Sequence, residues 1–96
     1  MKKFQVTIHF EMDGEFKSHL PSHRAYISKL IEKGVVDQYV VSLETQRVWI
    51  TVTAEDKNEV EDYLSRSPVY KYWSFEIDEL LVYDGRNYRL PSLQFN

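Results

Sequence analysis

Residues Phe4 to Met12, FQVTIHFEM, alternate strictly between apolar and polar side chains. Phe4, Val6, Ile8, Phe10 and Met12 fall on one side of an extended chain, and Gln5, Thr7, His9 and Glu11 on the other. Successive side chains of a strand point to opposite faces, so the stretch predicts a strand with one apolar and one polar face. Five large apolar residues on one face place it in the middle of a sheet rather than at an edge. Its apolar face is expected to carry helices, and its polar face to look into a pocket.

The remaining elements follow from local chemistry. Asp13-Gly14 is a turn signal that ends the strand. Leu20-Pro21 interrupts the helical region that follows, so a firm helix is expected from about Pro21 or Ser22, after an irregular lead-in. Along SHRAYISKLIEKG, His23, Ile27, Leu30 and Ile31 share one face, and Lys33-Gly34 supplies the stop. Val35 to Leu43 predicts a second strand with Tyr39, Val41 and Leu43 on one face. Glu44 to Gln46 is a hairpin connection, and Arg47 to Ala54 a β-branched third strand.

Glu55 and Asp56 lead into a second helix whose buried stripe is Val60, Tyr63 and Leu64, ended by Pro68. After the aromatic link Val69 to Trp73, the stretch Phe75 to Tyr83 predicts a fourth strand. Its alternation slips at Asp78-Glu79, the mark of a bulge or a change of face.

The order is β-α-β-β-α-β, a ferredoxin-like α+β arrangement. It implies a four-stranded antiparallel sheet of order 4-1-3-2 with two helices on one face. Residues 1–84 form this domain. Residues 85–96 form a C-terminal tail whose Tyr88, Leu90, Leu93 and Phe95 are too apolar for a free end and are expected to pack on a neighbouring subunit.

Composition limits the function classes. Ninety-six residues hold one domain with one core, and 43% hydrophobic and 15% aromatic content can fill it. So many aromatics in so small a domain point to a homo-oligomer. The absence of cysteine excludes disulfides, thiolate nucleophiles and cysteine-based metal sites. With a net charge of −3 and scattered Lys and Arg, no nucleic-acid partner is expected. The open faces of the first and third strands also lack the aromatic platforms of an RNA-recognition domain. The N-terminus has no uninterrupted apolar run, so neither a signal peptide nor a membrane span is read there, and a cytoplasmic protein is the expectation.

HRAYISKLIEKG in the first helix, and YLSRSPVYKYWSFEIDELLVY at the end of the domain, resemble the muconolactone delta-isomerase family of the dimeric α+β barrel superfamily. The likeness runs over residues 4–83 and is one of pattern and fold. It implies a barrel closed by two sheets across a two-fold axis. It also implies cofactor-free movement of a proton and a double bond in a small organic acid or lactone. The first helix is also similar to that of YCII-related proteins, which carry a His on this helix and an Asp-Pro after the second. His23 sits where that His would. Ser67-Pro68 replaces the Asp-Pro, so a His–Asp pair does not transfer.

Proton transfer needs a group that titrates near neutrality and donors for the developing charge. His9 is the imidazole on the polar face of the central strand, and its ordinary pKa of about 6.5 suits the task. Glu76 on the adjacent fourth strand is its expected partner, with Glu11 a further carboxylate on that face. Trp49 and Thr7 share the face as expected substrate-binding residues, joined by His23 and by Tyr72 of the aromatic link. For His9 the alternative is a histidine satisfied in a dimer interface, and for His23 a satisfied core histidine. His19 and His23 are spaced as in helical zinc pairs, but Pro21 lies between them and no third ligand is evident, so no metal is expected. The rival to an enzyme is a non-catalytic ligand-binding or assembly module.

Overall fold

The computed structural model describes residues 1–85, so the expected packing of Tyr88, Leu90, Leu93 and Phe95 lies outside the described residues. The elements are β1 (Lys2–Phe10), α1 (Gly14–Ser18), α2 (Leu20–Glu32), β2 (Val36–Ser42), β3 (Arg47–Ala54), α3 (Lys57–Ser65) and β4 (Trp73–Glu79), with a 3-10 turn at Tyr70–Tyr72 before the last strand. All strand pairs are antiparallel, in the order β2-β3-β1-β4. This is the ferredoxin-like α+β fold, with β1 in the interior of the sheet.

Alternation decides what is buried. Phe4, Val6, Ile8 and Phe10 of β1 face the helices together with Val48, Ile50 and Val52 of β3, and all are buried. Ile27 and Leu30 of α2 and Val60 and Leu64 of α3 close on them. Burying a side chain of this size contributes roughly 1.5–3 kcal/mol, so this layer holds the domain together. α2 lies over β2, and α3 over β3.

The helix ends are built from short polar residues. Asp13 accepts from the Phe16 N–H at 2.8 Å, so the expected turn residue caps α1. Asp56 accepts from the Glu59 N–H at 2.9 Å while Glu59 accepts from the Glu55 N–H at 2.7 Å, which satisfies two orphan donors at the start of α3. α2 ends at Gly34, whose φ of +78° is a left-handed conformation suited to glycine.

Three details differ from expectation. β4 begins two residues earlier than Phe75, at Trp73, and stops at Glu79 rather than reaching Tyr83. The alternation slip is a strand end: the last paired residues are Phe4 and Glu79, and one further bond, from the Leu80 N–H to the Lys3 carbonyl at 2.9 Å, closes the ladder. Leu81 and Val82 are accordingly exposed. Ile31, expected on the buried face of α2, is 46% exposed because it stands at the rim of a cavity beneath that helix. Among the described residues no helix is long and apolar enough to cross a membrane.

Candidate functional site

Polar residues placed on apolar faces must find partners, because an unpaired buried polar group costs on the order of 1–3 kcal/mol. His23 belongs to the inward stripe of α2 and is 2% exposed. Tyr39 pairs with the buried Ile50 and therefore points to the same layer from β2. Ser67 follows α3 and is also buried. The three meet: His23 Nδ1 lies 2.7 Å from Ser67 Oγ, and Nε2 lies 2.8 Å from the Tyr39 hydroxyl. Trp73 presses on the imidazole edge to face, with ring centroids 5.5 Å apart.

The chain can run in either direction. Ser67 Oγ accepts from the Val69 N–H at 3.2 Å and can still either donate its proton to His23 Nδ1 or accept from Nδ1–H. In the first arrangement Nε2–H donates to the Tyr39 oxygen and leaves the Tyr39 proton to donate onward; in the second Tyr39 donates to Nε2. Such a run of aligned hydrogen bonds polarises its last donor. Burial pushes the His23 pKa down from 6.5 to about 4. Burial also pushes Tyr39 up to about 12, against the opposing pull of the Arg24 charge. At neutral pH both groups are uncharged.

Tyr39 and His23 line a cavity of about 570 Å³ between α2, the start of the helical region and β2. The rest of its wall is mainly apolar, with Phe10, Phe16, Leu20, Ile27, Val48 and Trp73 among the lining residues. Arg24 is the charged residue in the wall, and no Asp or Glu contributes to it among the described residues. Ser67 does not reach the cavity, so it orients His23 and is not placed to attack a ligand.

The 570 Å³ cavity is therefore on the helix-covered side of the sheet, and the polar face, where a pocket is also expected, carries a shallower groove at its His9 end. That face has no second layer of described elements above it, so a single chain cannot enclose a volume there. Its residues lie in cross-strand rows. Val40, Trp49, Thr7 and Glu76 form one row, and Arg47, His9 and Ser74 the next. His9 and Glu76 are thus diagonal neighbours, both exposed, and Trp49 and Thr7 are half-buried. At the far end of the face, Lys3 bonds Asp37 at 2.8 Å and Thr53 at 2.7 Å, closing a polar cluster.

His9 and Glu11 also border a shallower groove of about 470 Å³, with Lys71, Tyr72 and Ser74. Tyr72, whose ring meets Phe16 edge on, faces that groove rather than the cavity. Of the residues expected to act, then, His23 is in the cavity wall, His9, Glu11 and Tyr72 border the groove, and Thr7, Trp49 and Glu76 lie on the open face. His19 stands beside Tyr72, away from the ring nitrogens of His23, and no metal-binding group of three or more His, Asp or Glu occurs among the described residues.

Tyr39, Arg24 and Ser67 were not singled out by their local sequence as site residues. A usable signal existed in the pattern: His23 and Tyr39 are polar tips on two apolar faces that the topology stacks. Comparison with known protein families and with curated protein sequences finds no match to this chain.

Proposed function

We propose that the protein takes a small, largely apolar organic acid or lactone into the cavity under α2 and moves a proton on it without a cofactor, shifting a carbon–carbon double bond. The observation that carries this reading is the Ser67–His23–Tyr39 chain, which brings two neutral titratable groups to an apolar wall. A ligand carbonyl or carboxylate accepts from the Tyr39 hydroxyl. In the opposite hydrogen arrangement Tyr39 donates to Nε2. Its oxygen then takes a proton from a ligand carbon while its own proton passes to His23. The electron pair remains on the ligand as an enolate facing Arg24, and Nδ1–H of the imidazolium donates to Ser67. Tyr39 then gives its proton to a different carbon while His23 returns its own to the Tyr39 oxygen, which restores both groups and completes the isomerisation.

Solvent deuterium incorporation into a panel of lactones and unsaturated acids, followed by proton NMR, tests this. Exchange is expected with the wild type and with His9→Ala, and is expected to vanish in Tyr39→Phe. Loss in His9→Ala instead would move the chemistry to His9 and Glu76 on the open face. Absence of exchange from every compound would leave a non-catalytic binding pocket. That second reading is favoured by the lack of a carboxylate base in the wall among the described residues. In either reading a second copy covers the β2–β3 side of the open face, around Val40 and Trp49, and leaves His9 and Glu76 in water, and light scattering of the purified protein reads the oligomer directly.

A further inference from the structure

The rim of the cavity and its one charge narrow the ligand class. Met12, Ile31, Val41 and Leu43 all border the cavity, and they are 38%, 46%, 45% and 68% exposed. Singly exposed apolar residues are ordinary, but four around one opening form a continuous apolar lip that gains from being covered. Val41 and Leu43 extend outward along β2 on the side that Tyr39 faces, since Tyr39 pairs Ile50 and Val41 pairs Val48. Arg24 is exposed, makes no ion pair among the described residues, and lines the same cavity as Tyr39.

We infer that the ligand is an amphiphilic monocarboxylate. Its head is held by Arg24 and the Tyr39 hydroxyl, and its hydrocarbon body fills the cavity and runs out over the lip formed by Met12, Val41 and Leu43. This deepens the proposed function and rests on its reading of the cavity as the working site. It also departs from the small organic acid or lactone that the family resemblance implies. A compact acid would satisfy Arg24 and Tyr39 but would leave both the aromatic floor and the lip without contact. A long acid covers both, and the exposed position of Arg24 keeps the carboxylate in partial contact with water, which limits its desolvation cost.

Isothermal titration with saturated acids from hexanoate to dodecanoate, and with the primary alcohols of equal length, tests the inference. Each added methylene is expected to tighten binding roughly threefold to fourfold, the equivalent of about 0.8 kcal/mol, until the lip is covered. The acids are expected to bind about tenfold tighter than the alcohols, through charge-assisted bonds to the guanidinium. Arg24→Gln should erase the preference for acid and keep the dependence on length. Leu43→Ser, at an exposed position that spares folding, should flatten the length dependence of the longest members. Equal binding of acid and alcohol, affinity that ignores chain length, or no binding of either series overturns the inference. The two proposals fail separately. Acids that bind in this pattern, with no deuterium exchange into any of the lactones or unsaturated acids, refute only the proton chemistry, whereas exchange into a short lactone with no binding of the acids refutes only the amphiphile.

Discussion

On the helix-covered face of the sheet, His23 and Tyr39 are tied to each other and to Ser67, and burial has moved the pKa of both rings. On the open face, His9 and Glu76 stand exposed on neighbouring strands with water to serve them. Both faces carry histidine near a possible proton partner. They differ in desolvation. A polar group enclosed by apolar walls must be satisfied by protein and titrates far from its ordinary value. The same group on an uncovered sheet needs no partner. A histidine's place on a strand or helix face is therefore a weaker guide to function than what lies above that face.

The largest expected effect breaks the comparison in stability. His23→Ala removes a fully enclosed ring and strands the hydroxyls of Ser67 and Tyr39, so urea denaturation should show a loss of about 3 kcal/mol or more. His9→Ala, at an exposed strand position, should stay within about 0.5 kcal/mol. Similar losses from the two would mean that the open face is enclosed in solution.

Acid titration should separate the faces next. The His23 pKa is lower in the folded protein, about 4, than the ordinary 6.5, so the unfolded chain binds the extra proton first as pH falls. The neutral His23 therefore contributes stability that is present above about pH 6.5, declines below it and is gone near pH 4. Linkage puts that loss at about 3 kcal/mol. In His23→Gln, which cannot titrate, the same window should be flatter by this amount. A wild type and His23→Gln that lose stability in parallel would show that the ring is not held neutral.

How much of this was legible follows from how far apart the partners are. β1 announces itself in five alternating residues, and the sheet order follows from the number and type of elements. The site does not. His23 and Tyr39 are 16 residues apart, and His23 and Ser67 are 44 apart, so no local spacing links them. Ser67 was noticed only as a residue standing in place of an aspartate, yet its hydroxyl occupies the orienting position at Nδ1. The end of β4 was misplaced for a similar reason. FEIDELLVY looks like strand beyond Glu79, yet its pairing with β1 ends there and Leu81 and Val82 are exposed. Pairing partners and covering layers are tertiary facts, and local patterns do not hold them.

Within the buried chain, Tyr39→Phe removes one hydroxyl and leaves Nε2 without its partner. Ser67→Ala does the same to Nδ1 and also to the Val69 N–H. Each should cost about 1–2 kcal/mol in denaturant unfolding, with Ser67→Ala the larger. The functional consequences should diverge, because Tyr39 lines the cavity and Ser67 does not. Carboxylate affinity should fall about tenfold in Tyr39→Phe and persist in Ser67→Ala.

The smallest expected effect is the sharpest test of which face works. His9→Ala combined with Glu76→Gln removes both titratable groups proposed for proton transfer on the open face and leaves the cavity wall intact. Stability should change by no more than about 0.5 kcal/mol, since both side chains are exposed and surface substitutions of this kind seldom do more. Deuterium exchange and carboxylate binding should be unchanged as well. If exchange falls while unfolding is unaffected, folding cannot be the cause, and the open face must be doing chemistry. That would require a second copy to lie over His9 and Glu76, because an uncovered carboxylate and imidazole in water have no advantage over buffer. Repeating the measurement across a dilution series would then show exchange falling with protein concentration, which chemistry confined to the cavity of one chain cannot do.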